Sequence, residues 1–317
     1  NRGMEYIRKP LDFSKKSLTE AVELSLKNLQ TDYIDLYQTH WPERIMNMFQ
    51  KRGVEKLDTH WQENIFEVLT VFDGLIKEGK IKHIGISNEN PWGVMKFLME
   101  SEKHSLPRIA TIQNPFSLLN RLYEVGLSEI GMRENVGLLA YSPLGFGSLS
   151  GKYLAEVKPE YRMAKFPQFT RYTSENCTKA IKLYKELAEA NNLTLAQMAI
   201  AFVNQQNVVS STIIGATSME QLKENIAAFE VVLSPEILSE INKIQELTPD
   251  EQIEMRAMKG LSQSEKPKTD DSRENTATRT QSYEDDGKLN VSINDESFSF
   301  NVDDLTIDDL SLGAPEW

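Results

Sequence analysis

Cysteine is nearly absent from this sequence, which has one, Cys177, among 317 residues. A single thiol cannot form an internal disulfide, so the sequence excludes a disulfide-stabilised fold and favours a reducing compartment. Cys177 is predicted to lie at an exposed helix start, and no histidine occurs within thirty residues of it. We therefore interpret this cysteine as a structural residue rather than a catalytic nucleophile.

Long hydrophobic runs are also missing. No apolar run approaches the roughly 18 residues that a membrane-spanning helix requires, and no apolar segment typical of a signal peptide follows the early charges. Hydrophobic residues make up 40% and charged residues 26% of the chain, an ordinary balance for a soluble globular protein. We expect a cytoplasmic protein without a membrane partner, and, because the first residue is Asn1, a fragment or a processed product.

Positive charge is scarce, since the net charge is −12. This balance argues against nucleic acid as a partner. Residues 251–317 hold 16 acidic and 7 basic side chains, so most of the excess lies there. We expect residues 1–250 to form the folded body and 251–317 to be an acidic, largely disordered tail. The alternating segment "KLNVSINDESFSFNV" within this tail is compatible with one short hairpin or strand.

Short apolar strands alternate with amphipathic helices in the body. Ser17 and Glu20 form a capping-box pattern at the start of a helix predicted over 17–30, whose apolar residues recur at helical spacing up to Leu29. Asn90 and Pro91 are typical of a helix cap and first helical position. Further helices are predicted at 64–80, 90–104, 122–135, 175–191, 194–206, 218–229 and 234–247. Strands are predicted at about 33–39, 81–87, 108–113, 136–142 and 211–215.

This alternation predicts parallel strands joined by helical crossovers. A dinucleotide-binding Rossmann turn is not found, because "GFGSLSG" at 145–151 has its third glycine one position late. A (β/α)8 barrel fits better, since polar residues recur where the predicted strands end, and such barrels place their active groups there. These residues are His40, Ser87, Asn88, Gln113, Asn114, Tyr141, Ser142, Gly215, Ala216 and Thr217.

Five segments together resemble the aldo-keto reductase family. They are "IDLYQTHWP", "KHIGISN", "IQNPFSLLNR", "LLAYSPLGFGSLSGKY" and "IIGATSMEQLKEN", and they occur in the family's order. The resemblance covers about residues 10–247 and is strongest to bacterial reductases, with the β subunits of potassium channels more distant. It implies a (β/α)8 TIM-barrel oxidoreductase that uses NADP(H) to reduce a small-molecule carbonyl substrate.

The resemblance also implies a role for individual residues. His40 corresponds to the active-site histidine that holds and polarises the substrate carbonyl. The groups expected to bind the nicotinamide are Ser87, Asn88, Gln113 and the stacking ring of Tyr141. Residues expected along the pyrophosphate are Ser142, Pro143, Leu144 and Lys152. Residues expected at the adenosine and 2′-phosphate are Gly215, Thr217, Gln221, Glu224 and Asn225.

Elementary chemistry is consistent with these roles. Fixed amide partners and an aromatic ring would hold one face of a nicotinamide toward a substrate. Ser218 and Gln221 form a second capping-box pattern, and free N–H groups at a helix start are a ready anion site. Most such patterns, however, only start a helix.

Three of the family's four catalytic groups have no counterpart here. The resemblance assigns only the histidine, whereas the aspartate, tyrosine and lysine belong to βα units that would precede residue 1. Tyr37, Lys80 and Lys82 lie inside or before predicted strands, which favours structural or solvent roles. We expect a partial barrel of about five strands and a truncated reductase that is inactive or weakly active.

Two other functions stay open. The first is a cofactor-binding regulatory module, in which the acidic tail is an interaction segment. In the second, "VDDLTIDDLSLGAPEW" docks onto a protein partner, because apolar residues alternate with acidic ones.

Overall fold

A computed structural model describes residues 12–46, 54, 57, 59–155, 157–166 and 170–247, together with the strand backbones of 281–283, 288–293 and 296–301. The chain divides into two compact units. The first comprises Asn1–Ile214 and Glu224–Met255, and the second comprises Gly215–Lys223 and Arg256–Trp317. Apart from these three strands, the tail that was predicted to be disordered lies outside the described residues.

A parallel five-stranded sheet forms the centre of the first unit. Its strands follow one another in chain order, from β1 to β5, and each pairs with the next. They are β1 (Ile34–Thr39), β2 (Ile81–Ser87), β3 (Ile109–Pro115), β4 (Gly137–Tyr141) and β5 (Val209–Thr212). Because every neighbouring pair is parallel, all five strands end at the same edge of the sheet.

Helices connect these strands. They are α1 (Lys15–Leu29), α2 (Ile65–Lys77), α3 (Pro91–His104), α4 (Leu127–Glu134), α5 (Arg162–Lys165), α6 (Glu175–Ala190), α7 (Leu195–Asn204), α8 (Met219–Ala227) and α9 (Pro235–Leu247). Short 3-10 turns span Leu122–Val125, Gly145–Ser150, Lys152–Leu154 and Ala228–Glu230. The predicted five-stranded partial barrel is thus confirmed. Among the described helices, none combines the length and the hydropathy that a membrane span requires.

The core lies between the sheet and its helices. Ile84, Ile112 and Leu138 project from three neighbouring strands and are at most 1% exposed. Leu69 and Phe72 on α2 are equally buried. Burying such side chains stabilises the fold by roughly 1.5–3 kcal/mol each. One face of these strands therefore packs against the helices. The polar residues discussed below lie on the opposite face.

Two predicted local features were wrong. The cap of α1 lies three residues before the proposed one, because Ser14, not Ser17, accepts a hydrogen bond from a first-turn N–H, that of Ser17, at 3.2 Å. Ser17 is buried within the helix, and Leu29, predicted on the apolar face, is 61% exposed. The predicted Asn90 cap and the first helical position of Pro91 are confirmed, since Asn90 accepts from Gly93 N at 3.2 Å.

Strand β5 and Cys177 also differ from expectation. β5 begins at Val209 and ends at Thr212, two to three residues before the predicted bounds. In the register of β4 and β5, Leu138 lies opposite the buried Val209. A hydrogen bond from Ile213 N to Ala140 O directly follows the end of β5. Cys177 is buried in the first turn of α6 rather than exposed, which agrees with a structural role.

The second unit contains a three-stranded antiparallel sheet. Strands β6 (Gln281–Tyr283), β7 (Lys288–Ile293) and β8 (Glu296–Asn301) pair in that order. The alternating segment of the tail thus supplies β7 and β8, and one further strand joins them where the sequence suggested a hairpin or a strand.

Candidate functional site

Polar side chains gather where the strands of the parallel sheet end. His40 directly follows β1, Asn88 follows β2, and Tyr141 and Ser142 lie at the end of β4. The register places Gln113 of β3 opposite Ser87 of β2, so these residues meet at one edge. The structure therefore brings together the residues predicted to surround the substrate and the nicotinamide.

Asn88 is the centre of this group. Its side-chain nitrogen donates to His40 O at 2.9 Å and to Ser87 Oγ at 3.0 Å. Its side-chain oxygen accepts from the Tyr141 hydroxyl at 2.6 Å. The backbone of Asn88 has a φ of 57°, a left-handed conformation that asparagine tolerates better than most residues. One side chain thereby links the ends of β1, β2 and β4.

Gln113 is anchored at its backbone. Its carbonyl oxygen accepts from Ser87 Oγ at 2.7 Å and from Asn88 N at 3.0 Å. Its side-chain oxygen accepts from Gln38 Nε2 at 2.8 Å. Gln113 is consequently held on both sides, by β2 and by a side chain from β1.

Desolvation changes the acidity of two residues at this edge. It raises the pKa of Tyr141 to about 12, an effect that the nearby Arg171 opposes. The Tyr141 hydroxyl is therefore protonated at neutral pH and donates to Asn88. The His40 side chain is exposed, but partial desolvation still lowers its pKa to about 4. His40 is thus neutral at pH 7 and has one N–H donor.

A tight turn follows β4. Ser142 has a φ of 57°, and Gly145 and Gly147 also adopt positive φ. Gly145 N donates to Ser142 O at 2.9 Å, and Leu149 N donates to Leu144 O at 3.1 Å. Pro143 is buried within this turn. The turn leads to Lys152. Its Cε lies so close to Gly147 that a Cβ added there would be 3.0 Å away.

Three cations lie among aromatic rings in the connection between β4 and α6. The Lys152 ammonium is 5.0 Å from the ring centre of Tyr161, and Arg162 and Arg171 lie 5.0 and 5.8 Å from that of Phe146. Desolvation, followed by repulsion from Arg162, lowers the pKa of Lys152. We call Lys152, Arg162 and Arg171 the basic cluster. Like charges held this closely in a partly desolvated place favour an anionic ligand.

The two arginines of the basic cluster were missed by sequence reasoning. They lie outside the predicted strands and helices, where no periodicity or strand end draws attention to them. The usable signal was the composition of the connection, in which aromatic and basic residues interleave between Phe146 and Tyr172. Arginine and lysine pack against aromatic faces and form strong hydrogen bonds to anionic groups.

The predicted adenosine-site residues fall in both units. In the first unit, Glu224 accepts from Thr194 Oγ1 at 2.7 Å, and Asn225 is buried. In the second, the Gln221 side chain accepts from Thr217 N at 3.0 Å, while Gln221 N donates to Ser218 Oγ at 3.3 Å. Gln221 therefore reaches back to Thr217, one residue before the predicted cap. Gly215 lies in the same segment and has open space where a side chain would be.

A buried ion pair adjoins the site and was also missed. Arg44, in the loop after β1, binds the carboxylate of Glu89 through both terminal nitrogens, at 2.5 and 2.9 Å. Glu89 directly follows Asn88 and is 4% exposed. The guanidinium also lies 4.7 Å from the ring centre of Trp92. This pair joins the loop that carries His40 to the segment that carries Asn88.

The three residues expected to have structural or solvent roles contact other parts of the fold. Tyr37 packs against Phe72 with ring centres 6.2 Å apart. Lys80 forms ion pairs with Glu23 and Glu78, and Lys82 pairs with Asp35.

Comparison with known proteins adds an independent finding. The model of the Aldo/keto reductase family matches residues 8–246. "Protein tas" of Escherichia coli is 48% identical over 242 residues, which cover 76% of this chain and 70% of that protein. "Aldo-keto reductase" of Babesia bovis is 35% identical over 228 residues, covering 67% and 80%. "NADH-specific methylglyoxal reductase" of Escherichia coli is 30% identical over 226 residues, covering 70% and 62%.

Proposed function

The chain belongs to the aldo/keto reductase family, and we propose that it is an NADPH-dependent oxidoreductase that reduces the carbonyl group of a small aldehyde or ketone. The observation that carries this proposal is the hydrogen-bonded group of His40, Ser87, Asn88 and Tyr141, with Gln113 beside it, at one edge of the sheet. Bound nicotinamide would supply the hydride.

The nicotinamide end of the cofactor is assigned to the strand ends. Ser87, Asn88 and Gln113 carry hydroxyl and amide groups that match a carboxamide, and the ring of Tyr141 offers a stacking surface. These side chains are anchored by the hydrogen bonds described above, so they need little reorganisation to bind a planar ring. Rigid partners of this kind fix the ring's orientation, which sets the geometry of hydride transfer.

The phosphates are assigned to the turn after β4 and to the basic cluster. Ser142, Pro143 and Leu144 would follow the pyrophosphate, because backbone N–H groups and a tight turn allow close approach. Lys152 and Arg162 would neutralise phosphate charge. The presence of three cations supports NADPH over NADH, since NADPH carries an additional phosphate. Gly215, Thr217, Gln221, Glu224 and Asn225 are assigned to the adenosine end by the resemblance alone.

His40 is assigned to the substrate carbonyl. With a pKa of about 4 its ring is neutral at pH 7, so it would polarise the carbonyl by donating one hydrogen bond rather than a full proton. The backbone carbonyl of His40 accepts a hydrogen bond from Asn88. Asn88 therefore holds the residue assigned to the substrate beside the residues assigned to the nicotinamide.

We further propose that this chain by itself reduces carbonyls slowly or not at all. Tyr141 is the tyrosine of this group, and desolvation makes it a weaker acid instead of a stronger one. No lysine in the described part of the chain forms an ion pair or a hydrogen bond with it. A positioned proton donor is worth roughly 100- to 10,000-fold in rate, so its lack would dominate the activity.

A second candidate is a cofactor-binding regulatory module. The observation that favours it is the uneven charge, with 16 acidic and 7 basic side chains in residues 251–317. In this alternative the site binds NADP(H) without turnover, and the acidic segment binds a protein partner carrying positive charge.

A turnover assay tests the main proposal. Oxidation of NADPH and of NADH by a reactive aromatic aldehyde is measured for this chain and, in parallel, for the Escherichia coli tas protein. We expect NADPH to be preferred and the rate of this chain to be lower by roughly 100- to 10,000-fold. Equal rates would contradict the proposed weak activity, and a preference for NADH would contradict the assignment of the cofactor.

Paired variants test the basic cluster in the same assay and in cofactor binding. Arg162→Met should weaken NADPH binding about tenfold or more, because a charge-assisted contact to phosphate is lost. Lys179→Met is the matched control, since Lys179 is an exposed cation on α6 that pairs with Glu175. Equal effects of the two substitutions would show that only the net charge of the chain matters.

A further inference from the structure

The inner face of the sheet carries a row of polar residues behind the proposed nicotinamide site. The register aligns Gln38 of β1 with Gly85 of β2, and Gly85 with Thr111 of β3. Gln113 lies two residues beyond Thr111 on the same strand and therefore on the same face. None of Gln38, Gly85 and Thr111 has a role in the proposed function so far.

Hydrogen bonds connect three of these residues in a chain. The Thr111 hydroxyl donates to Gln38 Oε1 at 3.1 Å, and Gln38 Nε2 donates to Gln113 Oε1 at 2.8 Å. The Gln113 side-chain oxygen thus accepts one hydrogen bond from the side away from the proposed nicotinamide. Among the described residues Gln113 Nε2 makes no hydrogen bond, so this nitrogen remains as a donor.

Gly85 makes this chain of hydrogen bonds possible. A Cβ at this position would lie 2.5 Å from Thr111 Oγ1 and 2.8 Å from Gln38 Oε1. The two side chains therefore meet across β2 in the space that the missing Cβ leaves. The glycine is needed here for close approach and not for an unusual φ, because its φ is not positive.

We propose that Gln38 is a positioning residue for the cofactor, which fixes the Gln113 amide so that its nitrogen donates to the oxygen of the nicotinamide carboxamide. This inference rests on the proposed function, because it requires a nicotinamide beside Gln113. Gln38 itself does not touch the cofactor. It acts through Gln113, and Thr111 supports it from the other side of Gly85.

Two substitutions separate positioning from general stability. Gln38→Leu removes the donor to Gln113, whereas Gln38→Glu supplies a carboxylate that only accepts hydrogen bonds. In the glutamate variant Gln113 must turn its nitrogen toward residue 38 and present its oxygen to the cofactor. The orientation of one amide is then reversed while the fold and the charge of the ligand stay the same.

Three ligands are titrated calorimetrically into each form of the 317-residue chain. They are NADP⁺, its 3-acetylpyridine analogue, which keeps the carbonyl oxygen but replaces the amide nitrogen with a methyl group, and 2′-phospho-ADP-ribose, which has no nicotinamide. We expect Gln38→Leu to weaken NADP⁺ binding about three- to tenfold and to leave 2′-phospho-ADP-ribose unchanged. Gln38→Glu should raise the ratio of the analogue's Kd to that of NADP⁺ by a similar factor.

Other results would overturn the inference. Unchanged NADP⁺ binding by Gln38→Leu, or an unchanged ratio in Gln38→Glu, would show that Gln38 does not orient Gln113. An equal loss for 2′-phospho-ADP-ribose would reveal general damage to the fold rather than positioning. If the unsubstituted chain binds none of the three ligands, the proposed function fails and this inference fails with it.

Discussion

At the scale of single residues, Gly85 shows how a missing side chain supports the site. Gly85→Ala should destabilise the protein by about 1–3 kcal/mol, because the new Cβ would overlap Thr111 Oγ1 and Gln38 Oε1. The free energy of unfolding in urea measures this effect.

Gly74→Ala provides the matched control for that substitution. Gly74 lies inside α2 and has no atom within 4 Å of an added Cβ. Alanine there should stabilise the protein by roughly 0.5–1 kcal/mol through helix propensity. Changes of the same sign at both positions would contradict the close approach assigned to Gly85.

The charge state of His40 is a second test at this scale. Its pKa of about 4 lies below the ordinary value near 6.5. Between these two values the unfolded chain binds more protons, so this residue's contribution to stability is lost as the pH falls from 6.5 to 4. NMR titration should place the His40 ring transition near pH 4, with assignment by its disappearance in His40→Asn. A transition at pH 6.5 or above would contradict the desolvation assigned to the His40 ring.

The sequence predicted individual residues unevenly. His40, Asn88 and Tyr141 could be predicted to lie together because each ends a strand, and parallel strands bring their carboxyl ends to one edge. Arg162 and Arg171 were missed because tertiary folding of a long connection, not a periodic pattern, places them. Gln38 was missed because it lies inside a strand, where its importance depends on the register with Gly85.

At the scale of elements, the Arg44–Glu89 pair holds the loop after β1 against the start of α3. Arg44→Met would leave the Glu89 carboxylate buried without its partner, at 3% side-chain exposure. We expect a loss of about 3–5 kcal/mol of unfolding free energy, which is typical when one member of a buried pair is removed.

An exposed pair on α4 is the control for this substitution. Arg133 and Glu129 lie four residues apart on the helix surface, and both are more than two-thirds exposed. Arg133→Met should change the unfolding free energy by at most about 0.5 kcal/mol. Similar losses for the two variants would show that burial of Glu89 does not determine the strength of the Arg44 pair.

Elements were predicted better in their existence than in their ends. Four strands and most helices were located by apolar periodicity. This signal is reliable because the residues that produce it form the core of the folded protein. The start of α1 and the span of β5 were misplaced for a physical reason. Competing caps at Ser14 and Ser17, and the pairing of Val209 with Leu138, are decided by neighbours distant in the sequence.

At the scale of the whole molecule, a five-stranded parallel sheet supplies the nicotinamide side of the proposed site. The described strands leave the outer edges of β1 and β5 without a partner strand in this sheet. Sequence alternation was enough to predict this architecture, because parallel strands need helical crossovers and both leave periodic signals. It was not enough to predict the three-stranded sheet of the second unit, whose pattern is short and interrupted by polar residues.

The most direct test of the central claim is equilibrium binding of NADPH to the purified 317-residue chain. Titration followed by the fluorescence of the bound nicotinamide should give saturable binding, tighter for NADPH than for NADH, which Arg162→Met weakens and Lys179→Met does not. This result is predicted whether or not the chain turns over a substrate. Absence of saturable binding at millimolar NADPH would contradict the assignment of this sheet edge as a nicotinamide cofactor site.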